Sequence, residues 1–552
     1  MGNSNSRKSL PIDKSFNLPS PIPSWPQGGG FASGYIDLGG LEVHQISSFN
    51  KIWATYEGGP DDLGATFYQP SQIPDGFFIL GYYSQPNNKP LFGSILVAKD
   101  NTPNQESPIL IKPTDYSLIW SSNSSKINQT SHGYIWLPES PDGYKAIGYV
   151  VTTTSDKPSL EKIRCVRSDF TDELETENLI WGQEKYGLNV YSSRPKNRGI
   201  QAQGVPIGTF LVQSSINGTE GSPASSISCL KNNNFLNFSS MPNLNQVEEL
   251  FKEYAPQIYF HSKEKYLPSS VNWYFEKGAK LYTKGENQNP VSIEKNGSNL
   301  PQGGSNDGNF WIGLPIDEKS KEEIKKGNLQ SSEVYLQIKP IFGGTFTDIP
   351  IWIFYPFNGP STAKIGLIDI PLGQIGEHIG DWEHLTLRIS NFNGILHKVY
   401  LSEHSKGTWV DSSLLEFQNG SNKPVAYSAR NGHPLYPKPG IFLQGGENHV
   451  GIRNDTEKSS MVMDTGARFS VVSAEFLGPG VVVEPPWLNY FRKWGPNVTY
   501  EIGVEVEKIE GTLSGGLKSA FGSLVHILPK EVYGAEGPLG PKMKNSWNGD
   551  ER

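Results

Sequence analysis

The chain has 552 residues and a formal net charge of −8, with 36% hydrophobic, 11% aromatic and 19% charged residues, 59 glycines and 41 prolines. That length exceeds a single core and predicts two or three domains, and the glycine and proline content predicts many short strands joined by tight turns. The acidic balance, with no concentrated basic stripe, excludes the electrostatic footprint of nucleic-acid binding, and no run of 18 apolar residues is present to cross a membrane as a helix.

Residues 1–35 read as an extended N-terminal segment. The start, Met1-Gly2-Asn3-Ser4-Asn5-Ser6-Arg7-Lys8, lacks the apolar stretch of a secretory leader. It fits the N-myristoylation pattern, with Gly2 as the acceptor and Ser6 following. One acyl chain gives weak, reversible attachment. The two cysteines, Cys165 and Cys229, do not make a disulfide framework. Together these features predict a cytoplasmic protein that is peripheral at membranes. Trp25, inside a proline-rich run, is expected to pin to a later surface.

An internal repeat follows. Trp53 precedes Tyr68-Gln69-Pro70 and Pro74-Asp75-Gly76, and Trp120 precedes Trp136-Leu137-Pro138 and Pro141-Asp142-Gly143. Both the tryptophans and the Pro-Asp-Gly turns are 67 residues apart. A degenerate third copy holds Leu179-Ile180-Trp181 and Pro206-Ile207-Gly208. Each copy reads as strand, turn, strand. Three such sheets must bury their apolar faces against one another, which predicts a three-fold β-prism over residues 36–235. Carbohydrate, lipid or a protein partner could sit at the loop tips of such a fold, although fold alone does not establish function.

Residues 214–242 are Ser-, Asn- and Gly-rich and read as linker. Residues 243–254 have helical spacing ended by Pro256 and open a second domain over 243–552. Residues 277–310 read as an exposed insertion, and 317–326 as a short surface helix ended by Gly327. The rest reads as strand after strand: 334–338, 351–357, 385–389, 399–401, 470–476 and 500–506. The expected class is all-β, a β-prism followed by a β-sandwich, with few short helices.

The chemistry concentrates in Gly376-Glu377-His378-Ile379-Gly380-Asp381-Trp382-Glu383-His384. Period-two alternation points Asp381 and Glu383 the same way and Trp382 into the core. Gly376 and Gly380 allow His378 to fold back toward them. His378, Asp381 and Glu383 are therefore candidate ligands for a divalent cation, with Asp369 closing the site. Oxygen donors with one imidazole favour Ca²⁺, Mg²⁺ or Mn²⁺ over zinc. The competing expectation is a salt-bridged loop with neutral His378. His404, His433 and Glu377 are further candidate polar groups, and His261 with Glu264 a weaker pair. No Gly-x-Ser-x-Gly elbow, phosphate loop, dinucleotide fingerprint or His-Glu-x-x-His is present, so no catalytic residue is assigned.

Four stretches resemble the plant branch of the vacuolar protein sorting-associated protein 62 family: 18–31, Tyr254-Ala255-Pro256 with Tyr266-Leu267-Pro268-Ser269-Ser270-Val271, Gly380-Asp381-Trp382-Glu383-His384, and Ser428-Ala429-Arg430-Asn431-Gly432-His433. The resemblance spans nearly the whole chain and implies trafficking to the vacuole. A narrower resemblance is to necrosis- and ethylene-inducing-peptide-like cytolysins. Their Gly-His-Arg-His-Asp-Trp-Glu heptapeptide holds a divalent cation, and His378, Asp381 and Glu383 match its ligand spacing, while Gly380 replaces its second His. That resemblance implies a cation-holding β-sandwich. The leading expectation is a non-enzymatic membrane-surface or trafficking module. The alternative is a metal-dependent hydrolase or a membrane-acting, cytolysin-like defence protein.

Overall fold

Three tryptophans organise the first part of the chain. In this computed structural model, which describes residues 9–102, 107–123, 125–183, 186–214, 227–285, 289–404, 406–444, 450–498, 501–527 and 536–551, Trp53, Trp120 and Trp181 meet with ring centroids 5.5–5.7 Å apart. Each lies on the first strand of its repeat copy. The copies form three-stranded antiparallel sheets: Phe49–Ala54, Ala65–Pro70 and Tyr83–Pro86; Asp115–Ser121, Tyr134–Glu139 and Val150–Thr152; Leu174–Gln183, Leu188–Pro195 and Phe210–Ser214. The indole N–H groups close the set cyclically. Trp53 donates to Ser131 O at 3.0 Å, Trp120 to Tyr186 O at 3.0 Å and Trp181 to Glu57 O at 2.9 Å. Each copy thus satisfies the buried donor of its neighbour. The Pro-Asp-Gly turns form as expected, with Phe77 N donating to Pro74 O and Tyr144 N to Pro141 O. Gly76 and Gly143 take φ of +80° and +82°, the left-handed position such turns require.

The chain divides into two units, Met1–Asn243 with Pro340–Thr347 and Ser390–Ile395, and the remainder. The two later segments are built into the first unit. Asn391 Nδ2 donates to Gly344 O at 2.8 Å, Thr347 Oγ1 to Asn391 Oδ1 at 2.6 Å and Asn232 Nδ2 to Gly343 O at 2.6 Å. Trp25 is pinned here, its Nε1 donating to Asn393 O at 3.0 Å.

The second unit is built on a large sheet ordered Lys406–Asp411, Leu396–Glu403, His378–Ser390, Phe346–Asn358, Val334–Gln337, Phe469–Ser473. Two four-stranded sheets accompany it: Leu435–Tyr436, Val425–Ser428, Gln257–Phe260, Val462–Asp464; and Ile368–Pro371, Thr362–Ile365, Val450–Thr456, Gly440–Gln444. The chain is all-β, with five short α-helices among the described residues. Leu244–Tyr254 forms as its spacing predicts, burying Val247, Leu250, Phe251 and Tyr254. Glu318–Lys325 starts on Asp317, whose carboxylate caps Ser320 N.

Two expectations are corrected. Residues 502–506 are not strand: Ile502–Thr512 is helical. The alternation of Ile502, Val504 and Val506 hid a second, helical spacing of Val506, Ile509 and Leu513, which pack with Phe521 and Leu524 of the Gly516–Ile527 helix. Residues 277–310 are not a bare insertion either. Lys280–Thr283 pairs with Val291–Ser292 and Phe310–Gly313, burying Leu281 and Ile312.

The final described residues lie against one face of the His378–Ser390 strand. Trp547 is buried beside Trp352. Arg388 Nε and Nη2 donate to both oxygens of Asp348 at 2.9 and 2.8 Å, and Nη2 also to Asp550 at 2.6 Å. Glu551 lies 3.1 Å from His384 Nε2 and accepts from Thr386 Oγ1 at 2.9 Å. Burial opposes ionisation of Glu551, but His384, Lys339 and Thr386 outweigh it and hold the carboxyl down at about 2.

An unfolded Glu titrates near ~4.3. With a folded value below that, the stabilisation by Glu551 is complete at neutral pH and is lost as pH falls from about 4 toward 2, amounting to roughly 3 kcal/mol. Thermal melts between pH 6 and 3 should therefore fall more steeply for the wild type than for Glu551→Gln, whose Tm is lower at neutral pH. Parallel curves would contradict this role.

Candidate functional site

The His378–Ser390 strand presents opposite faces to different surroundings. Trp382 enters an aromatic cluster with Phe354, Trp487 and Trp494, at centroid distances of 5.1, 5.4 and 5.1 Å. His384 stacks on Trp352 at 4.4 Å on that same face. Asp381 and Glu383 point the other way, as period two requires, and both are buried.

Asp381 Oδ2 lies 3.0 Å from His433 Nδ1. His433 is completely buried, and its Nε2 lies 2.9 Å from Tyr266 O. A carbonyl only accepts, so Nε2 carries a proton and donates there. An ionised Asp381 likewise only accepts, so Nδ1 donates to it and both ring nitrogens act as donors. The ring also stacks flat on Tyr355, with centroids 3.8 Å apart and planes 9° apart. The turn before it holds His433 at φ +64° and Asn431 at φ +70°. Glu264 ties this turn to the Tyr266 segment, accepting from Asn431 N at 2.7 Å and from Lys265 N and Tyr266 N at 2.8 Å.

Burial would raise the Asp381 carboxyl, but the His433 hydrogen bond and the nearby His378 ring bring it below the ordinary carboxylate range. Glu383 behaves oppositely. Burial first, then the neighbouring Asp381 charge, push it well above its ordinary value, against a hydrogen bond from Ser402 Oγ to its Oε2. Two carboxyls this close in a buried site do not both ionise readily. Asp381 therefore carries the charge and Glu383 the proton.

His378 Nδ1 lies 2.7 Å from Gly380 O and donates to it, which orients the ring and makes Nε2 the nitrogen that carries the lone pair. Gly380 makes the turn with φ +69°, where an added Cβ would come within 2.5 Å of Trp494 O. Burial lowers the His378 pKa, so the ring is neutral at neutral pH. His404, at φ +57°, is likewise pushed down by burial, against the pull of Asp381.

His378, Asp381, Glu383, His404 and His433 are thus brought into one neighbourhood. Two candidates have other charged neighbours. Asp369 pairs with Lys364 Nζ at 3.3 Å and with Arg453 Nη1. Glu377, raised by burial, has Lys325 and Glu322 as its neighbouring charges. His261 lies 3.6 Å from Glu457. Gly2 lies outside the described residues. Tyr266, Tyr355 and Ser402 belong to the centre and were not picked out as site residues, although the 266–271 stretch of the family resemblance holds one of them; Glu264, expected beside His261, ties the Tyr266 segment to the His433 turn. Both thiols are buried in the first unit and pushed up to about 12 by burial, which makes them poor nucleophiles at neutral pH.

The donor set suits a hard or borderline cation. Asp381 and Glu383 each spend one oxygen on a hydrogen bond, and His378 keeps Nε2. Among the described residues, however, no three His, Cys, Asp or Glu side chains already converge as a metal-holding group.

The model of the vacuolar protein sorting-associated protein 62 family matches residues 12–551. A Saccharomyces cerevisiae protein provisionally named vacuolar protein sorting-associated protein TDA6 is 24% identical over 215 residues, 35% of this chain and 44% of that protein. The chain therefore matches less than half the length of that relative. Among solved structures, GNIP1Aa from Chromobacterium piscinae is 17% identical with a TM-score of 0.29, covering 39% of this chain and 41% of that one. The structures described as a toxin fold for microbial attack and plant defense and as NLPPya in complex with glucosamine are 14% and 12% identical, each with a TM-score of 0.20. They cover 36% and 35% of this chain and 69% and 67% of theirs.

The pairing of Asp381 with His433 sets an order of mutational costs. His433→Ala leaves a buried carboxylate without its donor and should cost about 3–5 kcal/mol. Asp381→Asn removes the charge but keeps a side chain that can donate to His433 Nδ1, and should cost about 1–2 kcal/mol. Urea unfolding of both variants checks this; equal costs, or the reverse order, would contradict the pairing.

Proposed function

The chain belongs to the vacuolar protein sorting-associated protein 62 family, and from that premise we propose that it is a non-enzymatic binding protein of vacuolar sorting that acts at membrane surfaces, with a divalent cation held in its second unit. The observation that carries this reading is the arrangement on one strand. Asp381 and Glu383 share a buried face, and the His378 ring is fixed by Gly380 O with Nε2 carrying the lone pair. When bound, a Ca²⁺, Mg²⁺ or Mn²⁺ ion would be held by His378, Asp381 and Glu383 and would supply positive charge for an anionic partner. Asp369, held by Arg453 and Lys364, is not in the ligand set on this reading.

Membrane-surface action draws on two further features. Gly2 fits an acylation site. Leu367, 95% exposed, stands at the tip of the Thr362–Ile365 and Ile368–Pro371 hairpin, followed by half-exposed Ile368. Lipid headgroups are the partner on this reading, and carbohydrate or protein would meet the loop tips of the first unit.

Calorimetric titration of Ca²⁺, Mg²⁺ and Mn²⁺ into protein freed of metal by EDTA should give close to one site per chain for at least one ion. Asp381→Asn should weaken it at least tenfold, and Glu383→Gln likewise. No heat with any of the three, or equal binding by Asp381→Asn, would refute the cation reading. In cells that acylate a control protein, Gly2→Ala should shift the protein from the membrane to the soluble fraction; an unchanged distribution would refute the tether.

A further inference from the structure

A second polar site adjoins the acid–imidazole centre. A cavity of about 30 Å³, room for about two water-sized groups, is lined by Ser361, Thr362, His404, Arg430, Arg453 and Asn454 among others. Its charges are unequally matched. Arg453 is neutralised: its Nε donates to Asp455 Oδ1 at 2.6 Å, and its Nη1 contacts Asp369. Arg430 makes no ion pair or side-chain hydrogen bond among the described residues, and its Nε is buried without a partner. The guanidinium keeps its charge at any physiological pH.

Asn454 and His404 line the same cavity: Asn454 is 3% exposed, its side chain lies beside the His404 ring and the Tyr436 hydroxyl, and neither its Nδ2 nor His404 Nε2 makes a hydrogen bond of good geometry. Leaving the Arg430 Nε buried and unpaired costs free energy. Arg430 Nε and Asn454 Nδ2 can only donate, and His404 donates in its Nε2–H tautomer. The one carboxylate in the lining, Asp455, is engaged by Arg453, so the Arg430 guanidinium has no acceptor of negative charge among the described residues. His404 and Asn431, which frame it, hold φ of +57° and +70°, a backbone cost of the kind that gathers at binding sites.

We propose that this cavity binds a compact oxyanion, a carboxylate or phosphate group whose oxygens accept from Arg430, Asn454 and His404. The site is distinct from the cation reading: none of the three residues is a ligand there, and binding needs no metal.

The test uses the full chain in Tris–chloride with EDTA, so that a cation cannot bridge the anion. Millimolar acetate or inorganic phosphate should raise the Tm of the wild type. The response should weaken at least tenfold in concentration in Arg430→Gln and be largely retained in Arg430→Lys. Asn454→Asp, which places a negative charge in the cavity, should abolish it and provides a second reading if Arg430→Gln does not fold. Vesicles of phosphatidic acid in phosphatidylcholine, against phosphatidylcholine alone, separate a lipid headgroup from a free ion. Arg430-dependent capture by the acidic vesicles without a response to free ions would identify the oxyanion as a headgroup. A wild type indifferent to both ions and to vesicles, or an Arg430→Gln protein that responds like the wild type, would overturn the proposal.

Discussion

The contact between Asp381 and His433 is the constraint on which the second unit's polar centre depends. A carboxylate this deeply buried is tolerated only with a charge-matched hydrogen bond. His433 supplies it and is itself fixed from three directions, by Tyr266 O, the Tyr355 ring and a turn in left-handed backbone. Once Asp381 is ionised in this way, its neighbour must give way. Glu383 keeps its proton because a second buried charge beside the first would have no partner of opposite sign in direct contact. The result is a centre with an Asp381 carboxylate paired to His433, a protonated Glu383 and a neutral His378 ring, with Asp381 and Glu383 held on a strand in place of a loop.

The same strand is anchored from its other face. His384, Thr386 and Arg388 receive Glu551 and Asp550, and Trp382 fills an aromatic cluster. A strand fixed on both sides moves little, so Asp381 and Glu383 are presented with little conformational freedom. That rigidity suits recognition, where preorganisation lowers the cost of binding.

How far the sequence revealed this depended on the range of the interactions. The repeat was legible because Trp53 and Trp120 recur with Pro-Asp-Gly turns at the same 67-residue spacing and a degenerate third copy carries Trp181, and period two correctly placed Asp381 and Glu383 together and Trp382 opposite. The long-range features were not legible. Nothing near residues 340–347 or 390–395 marks them as part of the first unit, since their partners, such as Asn232, lie more than a hundred residues away. His433 read as an ordinary turn histidine, because only the fold brings it to Asp381. Asp369 read as a ligand from its position in the chain, yet Arg453, 84 residues on, claims it. Residues 502–506 satisfied two periodicities at once, and packing against Phe521 and Leu524 decided for the helix.

The central claim is that the acid–imidazole face of the His378–Ser390 strand is built to hold a cation. The most direct test is anomalous diffraction from crystals soaked in Mn²⁺. The account predicts a single strong peak bounded by His378 Nε2 and the carboxyls of Asp381 and Glu383, absent from Asp381→Asn crystals. A centre with no peak, in which His433 and Asp381 remain paired and Glu383 stays on Ser402, would contradict it and leave these residues as internal scaffolding.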